Sequence, residues 1–181
     1  MHWCGGLQGW YTYGMNTWPK SFFALCVRSF IFGAEDSLVS TVGLLSGIAA
    51  AGVPKGTVFL AGMILIFVEA FSMAAGSFLS ERSAEEYVSH AGLPMRYFIF
   101  GGVIMFFSYF FSGFVPLSPY LFFEVTTALP LSITITLLAL FVLGAISARV
   151  FKTNIFRSGI RMLAFGGVAT GLGVLVGFFL K

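Results

Sequence analysis

Three stretches of this chain each run for at least 19 residues without one charged side chain: Tyr97 to Phe123, Val125 to Ala148 and Met162 to Leu180. A helix needs about 20 mostly apolar residues to cross the hydrocarbon core of a bilayer. Two further stretches of similar length carry only acids. Gly56 to Ser80 holds Glu69, and the run from about Ser29 to Gly52 holds Glu35 and Asp36 near its start. Five spans are expected, at about 29–52, 56–80, 97–115, 125–148 and 161–180. The expected fold is an all-α integral membrane protein, one five-helix domain over 28–181 behind an aromatic tail, 1–27.

Charge content agrees with this reading. The chain has 10 basic and 7 acidic residues in 181, or 9%, against about 25% for a soluble domain. Water cannot be faced all round with so few charges. The basic residues do not cluster with solvated aromatics, so a nucleic-acid partner is not expected. Cys4 and Cys26 give no metal-ligand spacing. No H-E-x-x-H and no credible nucleophile motif occurs, so the chain does not read as an enzyme.

Punctuation separates the spans. Gly52-Val53-Pro54-Lys55-Gly56 reads as a turn between the first two, and Gly92-Leu93-Pro94 precedes the third. Pro116 and Pro119 close the third, and Arg149 to Arg161 is expected to connect the last two. Five spans place the termini on opposite sides. Lys20, Arg28, Arg82, Arg96, Arg149, Lys152, Arg157 and Arg161 then share one side, against Lys55 and Lys181 on the other. The first side is expected to be cytoplasmic, with the N-terminus. Gly43/Gly47, Gly167/Gly171 and Gly173/Gly177 are spaced for close helix packing, within the chain or in a dimer.

An ionisable group within a span costs about 2.5–3.5 kcal/mol at the helix centre on insertion scales. Glu35, Asp36 and Glu69 are such groups, and no basic residue is expected inside the spans to neutralise them. Arg28 is expected to snorkel to the interface. Acids without basic partners suggest a proton, a bound cation, or alternation between them. Glu69 lies near the middle of its span. Met73 sits about 6 Å nearer the cytoplasm and Asp36 about 7 Å from its own midplane on the same side, so they share a depth. Glu69, Met73, Ser77 and Glu81 recur every four residues on one helix face, flanked by Ser72 and Ser80. Carboxylate with thioether suits a borderline divalent transition metal. The plainer readings are Met73 as core filler, Glu69 as a protonated carboxyl bonded to a neighbouring helix, and Asp36 as a helix cap. Beyond the span, Glu81/Glu85 and Glu86/His90 are i, i+4 pairs that either gather cations at the mouth or form a solvated helix end. Glu124, in the connection after span three, is a weak candidate for an exit.

Two segments carry a resemblance. Arg28-Ser-Phe-Ile-Phe-Gly-Ala-Glu-Asp-Ser-Leu-Val-Ser-Thr-Val-Gly-Leu-Leu-Ser-Gly47 resembles the first span of the vacuolar iron transporter family. Glu69-Ala-Phe-Ser-Met-Ala-Ala-Gly-Ser-Phe-Leu-Ser80 resembles its second, with the Ser-Met-Ala-x-Gly core. The resemblance implies a homodimeric five-span carrier that moves Fe²⁺, and often Mn²⁺, out of the cytoplasm in exchange for protons. It implies Asp36 and Met73 in the pathway, metal as cargo and no resident cofactor. The membrane implied is the plasma membrane of a bacterium or archaeon, or a vacuolar membrane. The chain departs from the family in two ways. Ser77 stands where plant and protist members have Glu, and Glu69, one turn deeper than Met73, is expected to supply that charge. The Glu-rich metal-binding domain between spans two and three is replaced by about 16 residues, Ser80 to Arg96, leaving capture to Glu81, Glu85, Glu86 and His90. The contrasting reading is a non-transporting membrane interaction protein.

Overall fold

The computed structural model describes residues 7–88 and 94–180, with side chains over 22–87 and 94–180. His90, Lys181 and the first six residues of the aromatic tail lie outside them. Six helices follow in chain order: α1 (Leu7–Ala50), α2 (Lys55–Val88), α3 (Met95–Leu117), the single turn α4 (Pro119–Phe122), α5 (Val125–Val150) and α6 (Ile155–Phe179). No strand occurs among the described residues. Helices α2, α3, α5 and α6 are each long and apolar enough to cross a membrane. Their outward faces are apolar too: Phe71, Phe111, Leu138 and Phe178 are each more than 60% exposed, as lipid-facing side chains must be.

The breaks follow the residues that cannot continue a helix. Gly52 takes a positive φ of 80° in the turn between α1 and α2, a conformation that costs glycine little. Pro119 opens α4 at its first position, where a missing N–H costs nothing. Two boundaries differ from the sequence reading. Helix α1 begins at Leu7, well before Ser29. Helix α6 begins at Ile155, so the connection from α5 is only residues 151–154 rather than Arg149 to Arg161. The cause is Asn154, whose Oδ1 accepts from the backbone N–H of Phe156 at 3.1 Å and of Arg157 at 3.2 Å. That cap satisfies the first turn and carries Arg157 and Arg161 into the helix.

Helix α1 is central. It packs along α3 on one side and α6 on the other, and touches α5 and α2 more lightly. Helix α3 in turn lies against α2, and α5 against α6. Small hydroxyls tie α1 to α3. Ser37 donates to the Tyr109 carbonyl at 2.6 Å, and Ser108 donates back to the Phe30 carbonyl at 2.5 Å. In lipid, packing and such interhelical bonds supply the association that apolar burial supplies in water. Leu38, Ile31, Leu140, Leu143 and Met162 pack one end of the interior, and Leu45, Val58, Ile66 and Leu117 the other.

Candidate functional site

The α1–α2 turn makes those helices antiparallel, and one ion pair sets their register. Arg28 on α1 pairs with Glu81 on α2. Eight residues forward along α1 is Asp36, and eight back along α2 is Met73. Both steps span about 12 Å at 1.5 Å per residue. Asp36 and Met73 are thus equally far from that pair along their helices. Glu69, one turn further along α2, lies within electrostatic reach of Asp36. Both acids are partly buried, and among the described residues neither has an ion-pair partner.

Behind the two acids stands Tyr109 of α3, fully buried. Its hydroxyl lies 2.7 Å from the Ser40 hydroxyl and within electrostatic reach of Asp36 and Glu69. Ser40 is one helical turn from Asp36. The sequence reading passed over both residues, because a tyrosine in a charge-free span carries no pattern of its own. Met105 was passed over too. It shares with Met73 a cavity of about 470 Å³, lined also by Arg28, Phe32, Gly76, Ser77, Ser80 and Glu81. Its sulfur lies on Gly33, 3.0 Å from where a Cβ would stand. Two thioethers thus face one cavity, from α2 and α3.

The expected stripe on α2 divides. Met73, Ser77 and Glu81 line the cavity, whereas Glu69 lines a separate apolar depression with Leu44, Ala61, Ile64, Leu65 and Val68. Asp36 is not among the residues lining either. Of the acid pair, Glu69 therefore opens onto the second depression and Asp36 onto neither.

Three expectations are corrected. Glu35 does not lack a basic neighbour, since Arg161 lies within electrostatic reach; the early start of α6 brings that arginine into the helix beside α1. Arg28 does not simply reach for the interface, but pairs with Glu81. The acids beyond the span do not form an open cluster, because Arg82 Nε donates to Glu86 Oε1 at 2.8 Å and Glu81 is held by Arg28. Glu85 lies one turn from Glu81 on α2, and the expected partner of Glu86, His90, is outside the described residues. Among the described residues no three His, Cys, Asp or Glu side chains come together as a metal site. Any metal site built on the Asp36–Glu69 pair must use neutral oxygen or sulfur for its remaining ligands.

The sequence profile of the VIT family matches residues 27–92 and 99–178, which takes in most of both acid-bearing helices and of the four that follow. No match is found among curated proteins.

Proposed function

The chain belongs to the VIT family, whose members are membrane metal-ion transporters, and from that premise we propose that it exports Fe²⁺ or Mn²⁺ by exchange for protons. The observation that carries the reading is the Asp36–Glu69 pair: two acids from different helices, in reach of each other and, among the described residues, without ion-pair partners. Two such carboxyls hold a cation or a proton between them more readily than they stay charged and apart. Met73, as far from the Arg28–Glu81 pair along its helix as Asp36 is, adds a softer ligand that distinguishes the site from an all-oxygen magnesium or calcium site. The Ser40 and Tyr109 hydroxyls offer neutral oxygens. Glu35 takes a lesser part, since Arg161 already balances it. In this mechanism the cation enters by the cavity that Met73 lines and is held by the acid pair. Protons take its place on the same carboxyls. Helix α1 is the fifth crossing, with the N-terminus cytoplasmic, and the working unit is a homodimer.

The direct test is metal uptake into liposomes. Export in exchange for protons makes the metal-donor side more acidic as metal leaves it, and an imposed pH gradient of the right sign speeds the flux. A flux indifferent to the gradient removes proton coupling. Absence of any Fe²⁺ or Mn²⁺ flux returns the chain to the interaction-protein reading.

Glu69→Gln separates this site from a family-typical one. A charge-assisted contact contributes about 1.5–3 kcal/mol, so its loss is expected to lower flux by about tenfold or more. Ser77 lies two turns from Glu69 on the same face, within the cavity. Adding Ser77→Glu to Glu69→Ala is therefore expected to restore part of the flux. Wild-type flux in Glu69→Gln would sink the role given to this residue.

A further inference from the structure

Arg28 on α1 and Glu81 on α2 both line the larger cavity, and their side chains pair there. The remaining lining residues, among them Met73, Gly76, Ser77 and Met105, are all neutral. The two ends of the pair differ in hydration. Glu81 is 21% exposed and Arg28 is 63% exposed. The carboxylate is turned inward, and the guanidinium reaches it from the solvated side on a long, flexible stem. Arg28 can withdraw to water by side-chain rotation alone, whereas Glu81 is the more enclosed of the two.

The geometry points to Arg28 as a built-in cation that occupies Glu81 and screens the cavity until a divalent cation displaces it. Charge explains the selectivity. A monovalent ion offers Glu81 the same charge as the guanidinium and no gain over it. A divalent ion doubles the attraction at equal distance. Once bound, it leaves a net positive charge beside Glu81, and that charge repels Arg28 outward. Occupation of Glu81 and opening of the cavity are thus one event, about 12 Å along the helix from the Asp36 level. This inference rests on the cavity being a cation path, but its test does not require transport.

Ser77 supplies the reporter. It lines the cavity and is half-buried, and cysteine is close to serine in size. The full chain carries Ser77→Cys with Cys4→Ser and Cys26→Ser. It is purified in detergent and labelled with a small uncharged methanethiosulfonate. Adding Arg28→Gln is expected to raise the labelling rate about fivefold, the factor a partly exposed ion pair supplies. Arg28→Lys, and the exchange Arg28→Glu with Glu81→Arg, are expected to stay near the parent rate. Mn²⁺ is expected to raise the parent rate, with no effect in Glu81→Gln and none from K⁺ at equal ionic strength. An Arg28→Gln rate equal to the parent overturns the inference, whatever a flux assay gives. A rate that answers to Arg28→Gln but not to Mn²⁺ overturns the exchange of one cation for the other. Loss of flux in an Asp36 variant bears on the proposed transport and leaves these labelling rates untouched.

Discussion

Asp36→Asn is expected to abolish metal flux while leaving the protein as stable as before, or more so. The two halves have separate causes. Asp36 is one of two carboxyls within electrostatic reach of each other, from α1 and α2. Removing one charge from a two-charge site costs about 3 kcal/mol of cation binding, or more than a hundredfold in affinity. Asparagine keeps the shape and loses the charge, so this loss reports electrostatics rather than packing. Stability moves the other way. A partly buried acid with no ion-pair partner among the described residues is a liability in the membrane, below the about 2.5–3.5 kcal/mol of a helix centre because Asp36 lies off the midplane. Its removal relieves that cost and the repulsion with Glu69. Liposome uptake of Mn²⁺ and thermal unfolding in detergent, on the same preparation, check both signs. Asp36→Ala is expected to lose flux equally. Normal flux in either variant excludes Asp36 from the path. Lost flux with a lowered unfolding temperature assigns it a structural role instead.

The sequence disclosed much of this arrangement for a simple reason. In a chain with 17 charges in 181 residues, each charge inside an apolar run stands out. The turn at Gly52, the break between Pro116 and Pro119, and the matched positions of Asp36 and Met73 along α1 and α2 all follow from counting residues along regular helices. What escaped depends on contacts between helices. Tyr109 and Met105 sit in an uncharged run, and their place beside the α1 and α2 site comes from how α3 packs. Charge alone puts Arg161 in a connection, because it is the last charge before the apolar run. Asn154, a cap residue, carries the helix back beyond that charge, and Glu35 gains a neighbour that counting did not foresee. The stripe of Glu69, Met73, Ser77 and Glu81 has the right helical period, but period alone does not tell which members share a cavity. The rotation of α2 against α1 and α3 decides that.

The same distinction between period and packing separates the glycines, and it yields a prediction of opposite signs. Gly43/Gly47, Gly173/Gly177 and Gly167/Gly171 look alike in sequence, each four apart. In the structure α1 and α6 touch backbone to backbone through the first two pairs. A Cβ on Gly47 would lie 2.7 Å from the Gly173 carbonyl oxygen, and a Cβ on Gly177 would fall on the Gly47 carbonyl oxygen. Neither neighbour is a flexible side chain, so the helices themselves must separate. At Gly167 and Gly171 a Cβ would meet nothing within 4 Å. Gly177→Leu is therefore expected to destabilise by about 3 kcal/mol or more, the upper range for overpacking a close contact. Gly47→Ala should cost about 1–2 kcal/mol, because its gain in helix propensity offsets part of the clash. Gly167→Ala and Gly171→Ala have the propensity gain without the clash, and are expected to stabilise by up to about 1 kcal/mol. Unfolding of the four variants in detergent, read against the parent, gives the comparison. Equal losses at Gly171 and Gly177 would place an interface on the open face of α6 as well, and a second copy of the chain would then be covering it.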